Sequence, residues 1–219
     1  MQKGTNFFRN MFHDIAVNES PFKLCAKVDR MPADIEKLEA ELDAAQKDAE
    51  ALVLGLDETT ANWTPSTGGW SVAQCLDHLA ITNRVYLASL QEAADRARAR
   101  GKLRRGAAVP GWAGRLFLSG VEPPVKPRTR FRAPANIQPA PAPRLAEAYA
   151  SFAASQQQVR SFLAANADLD LAGIRFVNPI LRGIRFSVAT GLHIITAHER
   201  RHLWQARELL RLRERSTVH

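Results

Sequence analysis

The chain has 219 residues, 46 % hydrophobic and 24 % charged, enough to bury one sizeable core without staples. Two cysteines, Cys25 and Cys75, exclude a disulfide framework, a cysteine-based zinc site and a CxxC redox motif. With no apolar run near the roughly 18 residues of a membrane span and no signal-peptide block, a cytoplasmic protein is expected. The net charge of +8 is local: residues 98–132 hold ten Lys and Arg and one acid, Glu122, or 10 − 1 = +9.

Residues 1–31 read as an N-terminal extension, in which Phe8, Met11, Phe12 and Ile15 have the spacing of a short amphipathic helix. Residues 32–219 read as one domain. Pro32 opens a helix that runs to about Leu56, with Ile35, Leu38, Leu42, Ala45, Ala49 and Leu52 on one face. Residues 57–69 have turn composition. Ser71 is a good N-cap and Gln74, three residues on, completes a capping box, with Trp70 placed as the hydrophobic staple. This second helix reaches about Arg100, with Val72, Leu76, Leu79, Asn83, Tyr86, Leu87 and Leu90 as its main stripe.

Eight of the twelve prolines fall between Pro110 and Pro143, so residues 101–142 are largely excluded from regular structure, with one short helical turn over 111–118. A third helix fits residues 144–166 and a fourth residues 186–214, joined by a linker with no strand pattern. The prediction is all-α: an antiparallel four-helix bundle with a long Pro/Arg-rich crossover between the second and third helices.

Four internal histidines carry the chemistry. His198 and His202, four apart, stand one above the other on the fourth helix. His193 points about 140° away from His198 and is a poor partner for the pair. His78 borders the inward stripe of the second helix. Neighbouring second and fourth helices would let the three converge, as hydrogen-bonded core residues or as metal ligands.

The run Trp70-Ser71-Val72-Ala73-Gln74-Cys75-Leu76-Asp77-His78-Leu79 resembles the W-S-x-x-E/Q-x-x-x-H-L opening of the second helix in DinB/YfiT-like proteins. Residues 197–205, Ala-His-Glu-Arg-Arg-His-Leu-Trp-Gln, are similar to that family's H-x-x-x-H-x-x-Q fourth helix. The resemblance covers about 32–214 and implies a bundle holding one divalent metal ion, Zn, Ni or Fe, through His78, His198 and His202. It also implies a small-molecule substrate and thiol-dependent transferase, isomerase or hydrolase chemistry, with a low-molecular-weight thiol as co-substrate in some members.

Gln74 is a candidate to hydrogen-bond a metal-held water, against its capping role. Glu199, about 100° from His198, reads as a surface or neighbouring residue rather than a base. Cys75 shares the face of His78. Arg201 is placed to pair with Asp77. The crossover is expected to border the metal end, with Arg128, Arg130 and Arg132 gripping an anionic substrate. Two competing readings are a nucleic-acid-associated bundle using residues 98–132 and a non-catalytic metal-binding bundle; a homodimer is compatible with any of them.

Overall fold

The computed structural model of the protein describes residues 31–124, 133–181 and 183–217. The amphipathic pattern at Phe8–Ile15 and the arginines Arg128, Arg130 and Arg132 lie outside the described residues.

Helix α1, Ala33–Val53, buries Ile35, Leu38, Leu42, Ala45, Ala49 and Leu52, the stripe read from the sequence. Asp34 and Glu36 sit in its first turn, where the helix dipole favours negative charge. In the expected turn region one further helical turn forms, α2, Glu58–Ala61, because the Asp57 carboxylate accepts from the Thr60 N–H. Helix α3 is Val72–Arg98. The capping box at its start is complete, with Ser71 Oγ accepting from Gln74 N–H and Gln74 Oε1 accepting from Ser71 N–H.

The crossover holds more helix than its prolines suggest. Helix α4, Trp112–Val121, spans ten residues rather than one short turn. Gly111 precedes it and the prolines stand outside it, while tertiary contact supplies what local propensity lacks. Gly114 lets α4 approach closely, since a Cβ there would lie 2.6 Å from Thr190 Oγ1. A 3₁₀ turn follows at Ala135–Ile137, then α5, Leu145–Asn166. A two-stranded antiparallel hairpin was also not foreseen: β1, Arg175–Val177, pairs with β2, Arg185–Ser187, setting Phe176 opposite Phe186. Strands of three residues are too short for an alternating pattern to stand out. Helix α6, Val188–Thr217, closes the fold.

Helix α3 packs on α5 and α6, α1 packs on the same two helices, and α4 lies along α6. Pairing of side chains gives the directions. Asn83 bonds Glu199 and Leu90 lies against Gly191, so α3 and α6 are antiparallel. Gln46 meets Tyr149 and Glu39 meets Arg160, so α1 and α5 are antiparallel. Glu41 meets Arg200 and Asp48 meets Arg207, so α1 and α6 are parallel. Gln74 reaches Ala140 just before α5, and Arg98 reaches Asp168 just after it, so α3 and α5 are parallel too. The bundle is therefore mixed rather than wholly antiparallel. Parallel neighbours need a connection as long as the bundle, which explains the crossover.

The core forms two apolar clusters. One, nearer the hairpin, includes Leu42, Leu90, Phe176 and Leu192; the other includes Leu76, Leu79, Phe152 and Leu203. Between them lie four buried polar residues, Asn83, Ser155, Gln156 and Glu199. No helix among the described residues is long and apolar enough to cross a membrane.

Candidate metal centre

The site is built from the start of α3 and the middle of α6. Ser71 fixes where α3 begins, which sets His78 two turns into the helix, facing inward. The four-residue spacing of His198 and His202 stacks them on the face of α6 that meets α3. The antiparallel packing of the two helices brings all three rings together. His78 Nε2 lies 3.3 Å from His198 Nε2, which lies 3.1 Å from His202 Nε2. His78 and His202 are buried and His198 is half-buried.

The protons of this cluster can be assigned in part. His78 Nδ1 lies 2.6 Å from the Ile137 carbonyl oxygen, so Nδ1 carries the hydrogen and donates it. His78 Nε2 is then a bare lone pair aimed at the other two rings. Burial holds the His78 pKa below its ordinary value of 6.5. Burial, and then the neighbouring histidines, hold His198 and His202 well below it. All three rings are neutral at neutral pH. His198 Nε2 is within hydrogen-bond distance of both partners, yet it can be a donor to one or an acceptor from the other, never both. Three converging ring nitrogens therefore cannot all satisfy one another with protons, and the Thr82 hydroxyl, 3.5 Å from His78 Nε2, is a further donor to that ring. A single cation satisfies them together. Zinc–nitrogen bonds of about 2.0–2.1 Å at tetrahedral angles separate two nitrogens by about 3.3–3.4 Å, close to the two separations from His198, and all three ligand atoms lie within 4.8 Å of one another. The residues present fit a divalent metal. Nδ1 of His198 and of His202 is buried with no hydrogen-bond partner among the described residues.

Trp70 lies over this cluster, its ring 4.4 Å from that of His78 and 5.6 Å from that of His202. The sequence marked it only as a staple, although its place just before the cap also sets it two turns from His78. The end of the crossover is bolted to the same turns of α3. Gln74 Nε2 donates to the carbonyls of Ala140 and Pro141, and Asp77 Oδ2 accepts from Ala140 N–H. The Gln74 amide is thus engaged at both ends, in the capping box and in this clamp. Arg201 donates to the Gly120 carbonyl. Arg200 bridges Glu41 and Glu122, tying the end of α4 to α6 two residues from His198. The later part of the crossover borders the histidines, while its start, with Arg104, lies at the other end of the bundle, beside Arg98 of α3.

Of the two sequence alternatives for Glu199, a surface or a neighbouring residue, the structure overturns the first: it is fully buried. Glu199 lies on the side of α6 that faces α3 and α5, so the face 100° from His198 is also interior. Glu199 Oε1 accepts from Asn83 Nδ2 at 2.7 Å and Oε2 from Gln156 Nε2 at 2.8 Å. Burial pushes its pKa up to about 7, against these two hydrogen bonds. Cys75 packs in the lower apolar cluster, and burial pushes its thiol up to about 12, so it is an unreactive core residue. His193 lies on the Glu41 side of α6, away from the cluster.

An α-helical bundle with three inward histidines from two helices is a fold that houses metal chemistry in its core. The model of the DinB superfamily matches residues 41–206, a span that includes α3, α5 and all three histidines. The chain belongs to the DinB superfamily. No curated protein and no solved structure shows a significant match to it.

Proposed function

We propose that the protein is a divalent-metal-dependent enzyme in which His78, His198 and His202 hold one Zn, Ni or Fe ion. The observation that carries this reading is the convergence of three inward histidine rings from two helices, with ligand atoms within 4.8 Å of one another. A cation held by three uncharged rings keeps its full charge and an open position, and supplies Lewis acidity able to acidify a water or a low-molecular-weight thiol.

The chain's own residues prepare that site. The Ile137 carbonyl locks the ring orientation and tautomer of His78, the role a carbonyl partner plays behind a ligating histidine. The depressed pKa values leave all three rings free of competing protons. Trp70 covers one side and limits water access. Gln74 and Asp77 hold the crossover in place, and a hydrogen bond from Gln74 to a bound water would require it to give up one of these contacts. Arg128, Arg130 and Arg132 fall in sequence between Glu122, held by Arg200, and Ile137, held by His78. We assign them to contact with an anionic small-molecule substrate. The reaction classes this supports are thiol-dependent transfer or isomerisation, and hydrolysis.

Elemental analysis of protein purified without an affinity tag tests the reading. One transition-metal ion per chain is expected, lost in His78→Ala. A protein that takes up no zinc, nickel or iron even on dialysis against an excess of each would overturn it. Turnover assays with and without a low-molecular-weight thiol then separate transferase from hydrolase.

A further inference from the structure

Ala97, on α3, stands 19 residues beyond His78, which is about 28 Å along a helix. There a cavity of about 260 Å³ opens between the last turns of α3, the segment after it and the β1–β2 hairpin. Its cations are Arg96, Arg100, Lys102, Arg105, Arg175 and Arg185. The end of α3 presents Ala93, Arg96 and Ala97, and the turn after it Arg100, two buried alanines beside two exposed arginines. Lys102 is placed by its backbone, whose carbonyl accepts from Asp170 N–H at 3.0 Å. Arg175 and Arg185 stand diagonally across the hairpin on its outer face, opposite the face that sends Phe176 and Phe186 into the core.

The single carboxylate lining the cavity does not answer these charges. Asp170 turns into its own loop, with Oδ1 accepting from Gly173 N–H at 3.0 Å. Gly173 makes that possible, because a Cβ there would lie 2.3 Å from Asp170 Oδ2. Arg96 is paired with Glu92 on the same helix. The other five cations make no side-chain ion pair or hydrogen bond to a described residue. Their neighbours behave differently: Arg98 is paired with Asp168, and Arg104 with Asp34. The basic segment thus divides into charges neutralised within the fold and charges gathered, unneutralised, around a concavity. Gathering like charges costs stability through mutual repulsion, and an arriving anion relieves it.

We propose that this cavity is a binding site for a small, multiply charged phosphate compound, a pyrophosphate or a phosphate ester. Its volume falls just below the roughly 300–1,000 Å³ of pockets for drug-sized ligands. Several arginines around one concavity suit phosphate oxygens, which accept two parallel N–H donors. Among the described residues no aromatic side chain lines it, so they offer no stacking platform of the kind on which single-stranded nucleic acid is held. It stands apart from the histidine cluster and is independent of the function proposed for that site.

Isothermal titration of the full-length protein with inorganic pyrophosphate tests the proposal, with a short DNA duplex as a second arm. Saturable binding of one pyrophosphate per chain is expected, weakening as salt rises. Arg175→Gln and Arg185→Gln each remove a charge-assisted contact and weaken binding about tenfold or more. Arg211→Gln, the same charge change on an exposed residue paired with Glu208, leaves affinity unchanged. The unpaired arginines have no partner to lose, so the double variant keeps its melting temperature. Unaltered pyrophosphate affinity in the double variant overturns the proposal, because the ion is then held elsewhere, the histidine cluster included. So does a fall in melting temperature, which would give the arginines a structural role. Duplex binding that depends on these arginines without pyrophosphate binding would also overturn it, in favour of a nucleic-acid surface.

Discussion

Replacing His202 with alanine removes one of three converging nitrogens and leaves His78 and His198 facing each other across 3.3 Å. A metal that binds the folded arrangement and hardly the unfolded chain would stabilise it by RT ln(1 + [M]/Kd), about 2.7 kcal/mol at a hundredfold excess over Kd. For a chain of this size each kcal/mol moves Tm by about 2–4 °C, so zinc should raise the melting temperature by about 5–11 °C. If losing a ligand weakens affinity a hundredfold, the same zinc concentration contributes only about 0.4 kcal/mol, or about 1 °C. The variant also loses a ring packed beside Trp70, so its metal-free Tm falls as well. The quantity to read is therefore the zinc-induced shift of each protein against its own metal-free baseline, by calorimetry or circular dichroism. His193→Ala is the control: it lies five residues before His198 on the Glu41 side and should keep the full shift. If His193→Ala and His202→Ala respond alike, the histidines do not form the centre described.

Three further outcomes follow from particular contacts. Glu199→Ala strands the amide donors of Asn83 and Gln156 in the core and should cost about 2–4 kcal/mol in urea unfolding. Glu199→Gln should cost far less, because Asn83 Oδ1 and Gln156 Oε1 are buried acceptors without partners that an amide can meet; equal losses would refute this account of the layer. Burial alone would raise the Asp34 pKa, but hydrogen bonds from Arg104 and the Ala108 N–H hold it below 3.8. With its folded pKa depressed, Asp34 contributes stability above the unfolded value that is lost as pH falls through the folded one. Asp34→Asn should therefore flatten the acid limb of a stability–pH profile below about pH 4, and an unchanged limb would count against the pairing. Finally, copper or nickel should quench the fluorescence of Trp70, whose ring lies tilted against that of His78, and Trp70→Phe should abolish most of that quenching although three other tryptophans remain.

Much of this arrangement was legible because it is local. Ser71 and Gln74 form a capping box within four residues, and the α1 stripe from Ile35 to Leu52 is a helical period with no rival. The spacing of His198 and His202 fixes a shared face. What escaped depends on partners distant in sequence. Glu199 read as a surface or neighbouring residue because its own helix does not show what faces it at that angle; α3 and α5 cover it. Helix α4 is held by its fit on Thr190 rather than by propensity, and the hairpin by two phenylalanines reaching the core. The role of Trp70 over the histidines needed α6 in place. The five unanswered cations could be counted in the sequence, but Lys102 and Arg175 come to line one cavity only because α5 packs parallel to α3 and ends beside its last turn.

The clustering of lid, cap and ligand within residues 70–78 has a kinetic consequence. This half of the centre can form as α3 grows, on contacts spanning a turn or two, whereas His198 joins His78 across 120 residues of chain. Closing so long a loop carries an entropy cost that local helix formation does not, and contacts of that range form late in folding. Helical circular dichroism and metal coordination should therefore appear at different times during refolding. Cobalt(II), whose visible absorption depends on its ligand set, would act as a clock for the last event: the docking of α6 onto an α3 already wound and waiting.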